Sequence, residues 1–158
     1  MALVNRLSLV LSLHTTDALP KTDKSSLKPI TLIPSTATPH DLEERRRCFW
    51  AVFTLDRFVS ASTGWPSCLS EKDIQVHLPN DKQWAVCVES AGILGKVTEW
   101  LRKKYPSTNN SREDDGHELL RKLETWWDVL PPPIKLQENV LLHATFNTYS
   151  PLKRRKLR

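Results

Sequence analysis

The chain predicts an all-α fold: an irregular bundle of about five helices with long loops, built around one central buried helix at about 39–62. Three observations carry this. Leu numbers 23 against 15 for Val plus Ile, and Gly only four in 158 residues, a balance that favours helix over turn-rich β architecture. Apolar residues recur at helical spacing in four separate stretches. Eleven prolines then stand largely between those stretches. Leu, Ile, Val and Phe together make 42 of 158 residues, above the roughly 20% below which chains stay disordered, and the length suits one core.

The first element is a helix through Leu3, Leu7, Val10, Leu11 and His14, whose spacing predicts a face turned to the core. The run Leu7–Leu13 behind Arg6 imitates a signal peptide, but no Ala-x-Ala-like site follows, so the helix is the plainer reading. Residues 15–37, with Pro20, Pro29 and Pro34, form a long loop. At Thr38-Pro39-His40-Asp41 a cap, a first-turn proline and an acid three residues after the cap start the second helix. Its apolar positions from Phe49 to Val59 run round nearly the whole circumference, which predicts burial on all sides. Gly64-Trp65-Pro66 ends it, and 67–79 is a loop packed on the bundle. Asn80 or Asp81 caps a third helix with a stripe of Trp84, Cys87, Val88, Ala91, Leu94, Val97 or Thr98 and Leu101; Gly92 and Gly95 inside it suggest a close helix contact. Residues 106–116 read as polar and mobile. A fourth helix, His117 to Leu130, carries Leu120, Leu123, Trp127 and Leu130 and stops at Pro131-Pro132-Pro133. A fifth is expected from about Lys135 to Tyr149.

The net charge of +5 sits in one place. Residues 153–158 hold five cations, and the rest balances at 18 basic against 18 acidic, so the body is no basic nucleic-acid groove. Trp50, Trp84 and Trp127 lie on core stripes away from that charge, which favours packing over base stacking. Cys48, Cys68 and Cys87, 20 and 19 residues apart with no C-x-x-C pair, read as reduced thiols, neither a disulfide framework nor a zinc site. Phosphate-binding glycine loops and His-Glu-x-x-His are absent, and the five histidines are scattered singly, so no catalytic residue, metal ligand or cofactor site is expected. Nothing approaches a membrane span. Asp56-Arg57 interrupts the most apolar helix and must find buried partners, a neighbouring side chain or a loop carbonyl. Glu43–Arg47 and Asp41–Arg45, four apart, read as solvated pairs.

One ordered pattern goes further. Glu44-Arg45-Arg46-Arg47-Cys48-Phe49-Trp50, the apolar run to Leu55, Asp56-Arg57, Ser60, Gly64-x-Pro66, Asp73-Ile74 and Leu78-Pro79 resemble the regulatory middle homology region of fungal zinc-binuclear-cluster transcription factors. Leu9 to His14 is similar to the family's preceding helix end, Leu-Gly-Leu-His, with Ser12 in the glycine's place; Leu123-x-x-Trp126 to Leu130-Pro131 and Leu141-Leu142-His143-Ala144 are similar to later elements. The resemblance implies an all-helical, non-catalytic regulatory domain of a nuclear protein, acting through other segments of a transcription factor, co-regulators or a small effector. Arg46, Phe49, Trp50, Asp56, Arg57, Gly64 and Pro66 are then its structural residues. The family's zinc ions and DNA contacts belong to a six-cysteine cluster with no counterpart here, so the chain by itself is expected to bind neither zinc nor a DNA sequence. It divides into a partial regulatory domain, 1–149, and a basic tail, 150–158, and reads as a truncated product. Lys153, Arg154, Arg155 and Lys156 suit a nuclear import address. Rival readings are a helical interaction fragment or pseudogene-like product without a transcriptional role, a hydrolase using Cys68 with His77 or His143, and a sequence-indifferent nucleic-acid binder working through the tail.

Overall fold

The computed structural model describes residues 2–18, 32–33, 38–104 and 111–130, and every regular element among them is helical: α1 (Ala2–Val10), α2 (Pro39–Thr63), α3 (Lys82–Arg102) and α4 (Ser111–Val129), with short 3-10 turns at Leu13–Thr15 and Glu71–Asp73. The all-α expectation holds. The helix expected at 135–149 and the tail lie outside the described residues.

α2 starts and stops as its chemistry dictates. The Thr38 hydroxyl accepts the Asp41 N–H at 3.1 Å, and Pro39 fills the first helical turn, where no N–H partner exists in any case. At the far end Gly64 adopts φ +73°, the left-handed conformation that terminates helices, and its N–H returns to the Ser60 carbonyl at 3.0 Å. α3 opens on Asp81, whose carboxylate accepts the Trp84 N–H at 2.8 Å.

α3 lies between α2 and α4 and is buried on two sides. Val88 and Ala91 pack with Phe49, Trp50, Phe53 and Leu69; Val97 packs with Leu120 and Leu123; Val86 meets Leu130. The Phe49–Trp50 and Trp50–Phe53 rings meet edge to face at 5.2 and 5.1 Å, a geometry that adds about 0.5–1.5 kcal/mol per pair beyond burial. α3 and α4 run antiparallel, because Val86 meets Leu130 at one end while the Trp100 indole donates to the Arg112 carbonyl at the other.

Several expectations are corrected. α1 turns the other way: Asn5 and Ser8 are buried while Leu3 (71% exposed), Leu7 and Val10 face water. The reason is an acceptor deep in the fold, described below, which draws Asn5 inward. α2 is not buried on all sides, since Ala51 and Leu55 (47% exposed) face out. Leu101 is also exposed at the end of the α3 stripe. α4 begins at Ser111, so most of the stretch expected to be a mobile loop is helical; Glu113 and Asp114 in its first turn favour a helix start.

Residues 74–79 are held against the region after α1. The Gln75 N–H donates to the His14 carbonyl at 2.7 Å and the Asp17 N–H to the Gln75 carbonyl at 3.1 Å, while Ile74 and Val76 pack on the aromatic core.

Candidate functional site

The buried charges on α2 form the polar centre of the molecule. Asp56 and Arg57 follow Phe53 on a helix whose neighbours are apolar, so each must be satisfied locally. The Asp56 carboxylate accepts the Asn5 amide of α1 at 2.6 Å, the Cys68 N–H at 3.1 Å to both oxygens, and the Leu69 N–H at 3.3 Å. Arg57, 2% exposed, donates from Nη1 to Asp56 at 3.2 Å and from Nη2 to the Leu69 carbonyl at 2.8 Å. One carboxylate and one guanidinium thus tie α1, α2 and the loop after Gly64 together. The partners are a side chain from a neighbouring helix and a loop carbonyl, as the sequence reading required.

Arg57 also fixes α3. Its guanidinium lies 4.4 Å from the centroid of the Phe53 ring, and its stem runs across Gly95, where a Cβ would stand 2.5 Å from Arg57 Cδ and 2.8 Å from Nε. Gly95 is therefore a member of the cluster, because only hydrogen fits there. Gly92, three residues earlier, meets only Glu71 Oε1, at an ordinary 3.9 Å. Glu71 in turn lies 3.8 Å from Arg57 and 3.3 Å from Lys96 of α3.

A second clamp stands one helical stretch earlier. Arg46 grips Asp17 with two bonds, Nε to Oδ2 at 2.9 Å and Nη2 to Oδ1 at 2.6 Å, the fork geometry that makes Arg–carboxylate pairs strong. The same carboxylate accepts the His77 N–H at 2.8 Å. The Arg46 bond first, then the His77 N–H and both charges, hold the Asp17 carboxyl below the usual range against burial; Asp17 likewise raises Arg46. Trp50, buried with Phe49, donates its indole N–H to the His77 carbonyl at 2.7 Å. Glu43 accepts Arg47 at 3.1 Å and the Asn80 N–H at 3.0 Å; Arg47 stays exposed, as expected of a solvated helix-face pair, while Glu43 is largely covered and also docks residue 80. Burial pushes His14 below its ordinary value, opposed by Asp73.

The structure therefore brings together Arg46, Phe49, Trp50, Asp56 and Arg57, and Gly64 closes the helix that carries them. Pro66 is exposed beyond Trp65, whose carbonyl accepts the Ser60 hydroxyl at 2.6 Å. Lys153, Arg154, Arg155 and Lys156 lie outside the described residues. Asn5, Asp17 and Gly95 were missed as site residues. Asn5 and Asp17 sit 51 and 29 residues from their partners, and only Gly95, a glycine inside a helix, left a signal. None of the three cysteines is in a disulfide, and the His77 ring faces Arg46 at 3.4 Å and Asp17 at 3.7 Å. His40, Asp41 and Glu44 come within 4.8 Å of one another on the exposed first turn of α2, a grouping common on surfaces without an ion.

The family model described as the fungal specific transcription factor domain matches residues 1–86, a span holding α1, α2 and both clamps. An uncharacterized transcriptional regulatory protein of Schizosaccharomyces pombe is 31% identical over 123 residues, covering 69% of this chain and 19% of its own. A depudecin biosynthesis cluster-specific transcription activator of Alternaria brassicicola is 42% identical over 92 residues, 58% of this chain and 12% of its own. A transcriptional activator protein of Neurospora crassa is 27% identical over 119 residues, 60% of this chain and 12% of its own. The chain thus spans less than a fifth of the length of these relatives. No solved structure matches it.

Proposed function

Because the chain belongs to the fungal specific transcription factor domain family, we infer that it controls transcription as a non-catalytic regulatory module, acting through contacts with other segments of a transcription factor, with co-regulators or with a small effector. The observation that carries this reading is the family match over residues 1–86, which takes in both clamps. There the polar side chains a catalyst would need are spent on structure: Asp56 and Arg57 on a loop and two helices, Arg46 on Asp17. Neither a cofactor nor sequence-specific DNA binding is part of the reading, since the family's zinc cluster has no counterpart among three spaced cysteines. The site residues act as positioning groups: Arg46 and Trp50 seat residues 74–79, Asp56 and Arg57 seat 64–73, and Gly64 and Pro66 turn the chain out of α2.

The working unit is 1–149, with 150–158 as a basic tail, and the place of action is the nucleus, with Lys153, Arg154, Arg155 and Lys156 as the import address. No helix among the described residues is long and apolar enough to cross a membrane.

The test places the full chain between a DNA-binding domain and an activation segment in a fungal reporter strain, beside a Phe49→Ala variant whose core is breached. Reporter output set by the chain and released by the variant supports the reading. Output indifferent to both overturns it. A fluorescent fusion with and without residues 153–156 reads localisation separately.

A further inference from the structure

Between the start of α3 and the end of α4 runs a groove of about 690 Å³. Val86, Trp126 and Leu130 line it, and Val129 at its edge is 79% exposed, an apolar side chain standing in water. Its lining carries three cations, Lys82, Arg121 and Lys122, against one carboxylate, Glu89. That carboxylate is engaged, since its Oε2 accepts the Trp126 indole N–H at 2.8 Å. Arg121 and Lys122 share Glu118 as a partner on the exposed face of α4, so they can exchange it for another carboxylate. Because α3 and α4 are antiparallel, Lys82 lies at the Leu130 end while Arg121 and Lys122 lie at the other, a separation on the order of 13 Å along nine helical residues.

We propose that this groove docks an acidic amphipathic segment of a partner protein, about two helical turns presenting an apolar row with carboxylates at both ends. Charge selects this occupant. The chain's own residues 131–152 hold one Lys and one Glu and so cannot set carboxylates at both ends, and 153–158 would bring five like charges to the rim. A second copy meeting this face about a two-fold axis would do the same. Two charge sites at opposite ends also suit a segment better than one small anion. The proposal rests on the partner-binding part of the regulatory reading. Its test involves no transcription, so the two can fail separately.

The probe is a fluorescein-labelled peptide of about 14 residues, leucines at helical spacing and Asp or Glu elsewhere, titrated with the full chain by anisotropy, beside a matched peptide bearing Lys for each acid. The acidic peptide is expected to bind, more weakly as salt rises, and the basic one to be rejected. Lys82→Ala and Arg121→Ala each weaken binding by about two- to fivefold, as for an exposed ion pair. Val129→Asp weakens it by about tenfold or more. Lys96→Ala, exposed on α3 outside the groove, leaves it unchanged. All four residues are exposed, and unchanged helical circular dichroism certifies each fold. Absence of binding, equal binding of both peptides, or indifference to Lys82 and Arg121 overturns the proposal. So does a dimer in sedimentation that Val129→Asp dissolves, which would assign the face to a second copy.

Discussion

Gly92→Ala and Gly95→Ala are the same change in the same helix, three residues apart, and the structure gives them opposite signs. Alanine gains about 1 kcal/mol over glycine in a helix interior, and at Gly92 nothing opposes it, since the new Cβ meets only a side-chain oxygen at 3.9 Å. At Gly95 the Cβ would stand 2.5 Å from Arg57 Cδ. Arg57 has little room to yield, because it is buried against Phe53 and bonded to the Leu69 carbonyl. Overpacking costs about 1–3 kcal/mol, and moving the guanidinium forfeits a charge-assisted bond of about 1.5–3 kcal/mol. After the helix gain, Gly95→Ala should destabilise by about 1.5–5 kcal/mol while Gly92→Ala stabilises by up to about 1. Urea unfolding followed by circular dichroism reads both as shifts of the midpoint at constant slope. In an Arg57→Ala background the clash is gone, so Gly95→Ala should turn neutral or stabilising, a coupling that a double-mutant cycle isolates. Midpoints moving the same way for both glycines, or a Gly95→Ala loss that persists without Arg57, would refute the argument.

Three further outcomes follow. Ser12 sits at φ +57°, so Ser12→Gly should raise the midpoint, by up to about 1 kcal/mol, and a lowered midpoint would contradict the strain. The Asp17 pKa is depressed in the folded state, so the Arg46 clamp contributes stability above the unfolded carboxylate value near pH 4 and loses it as pH falls through the folded one; Asp17→Asn should flatten the acid limb of a stability–pH profile, and an unaltered limb would speak against the clamp. Leu7→Glu on the wet side of α1 should stay within about 0.5 kcal/mol, whereas Asn5→Leu, which removes the donor to Asp56, should cost about 1–3; the reverse order in thermal melts would restore the apolar stripe of α1 to the core.

Much of this was legible beforehand because the signals are local. Thr38-Pro39 and Gly64 announce the ends of α2 through chemistry confined to one turn, and Phe49 to Arg57 declares itself by putting two charges in an apolar run. The family's Leu-Gly-Leu-His position, filled by Ser12, also takes on physical sense, since the backbone there adopts the left-handed conformation in which glycine is unstrained. What could not be read is what depends on distant partners. The apolar stripe of α1 was a correct periodicity assigned to the wrong side, because the pull of Asp56 on Asn5 acts across 51 residues. Asp17 lay in a stretch with no period, and its role exists only once Arg46 and residue 77 are folded around it. The early turns of α4 were masked by a run of acids and polar residues whose favour for a helix start is weaker than the usual apolar signal.

The account stands most squarely on Asp56 as the acceptor that seats the loop after α2. Amide hydrogen exchange on the intact chain measures this at Cys68 and Leu69. Both amides should be protected far above Ser67 and Ser70 and should lose that protection in Asp56→Ala while the amides of Phe49 to Thr54 keep theirs. Exchange at Cys68 and Leu69 as fast as at Ser67 and Ser70 in the unaltered protein would contradict it.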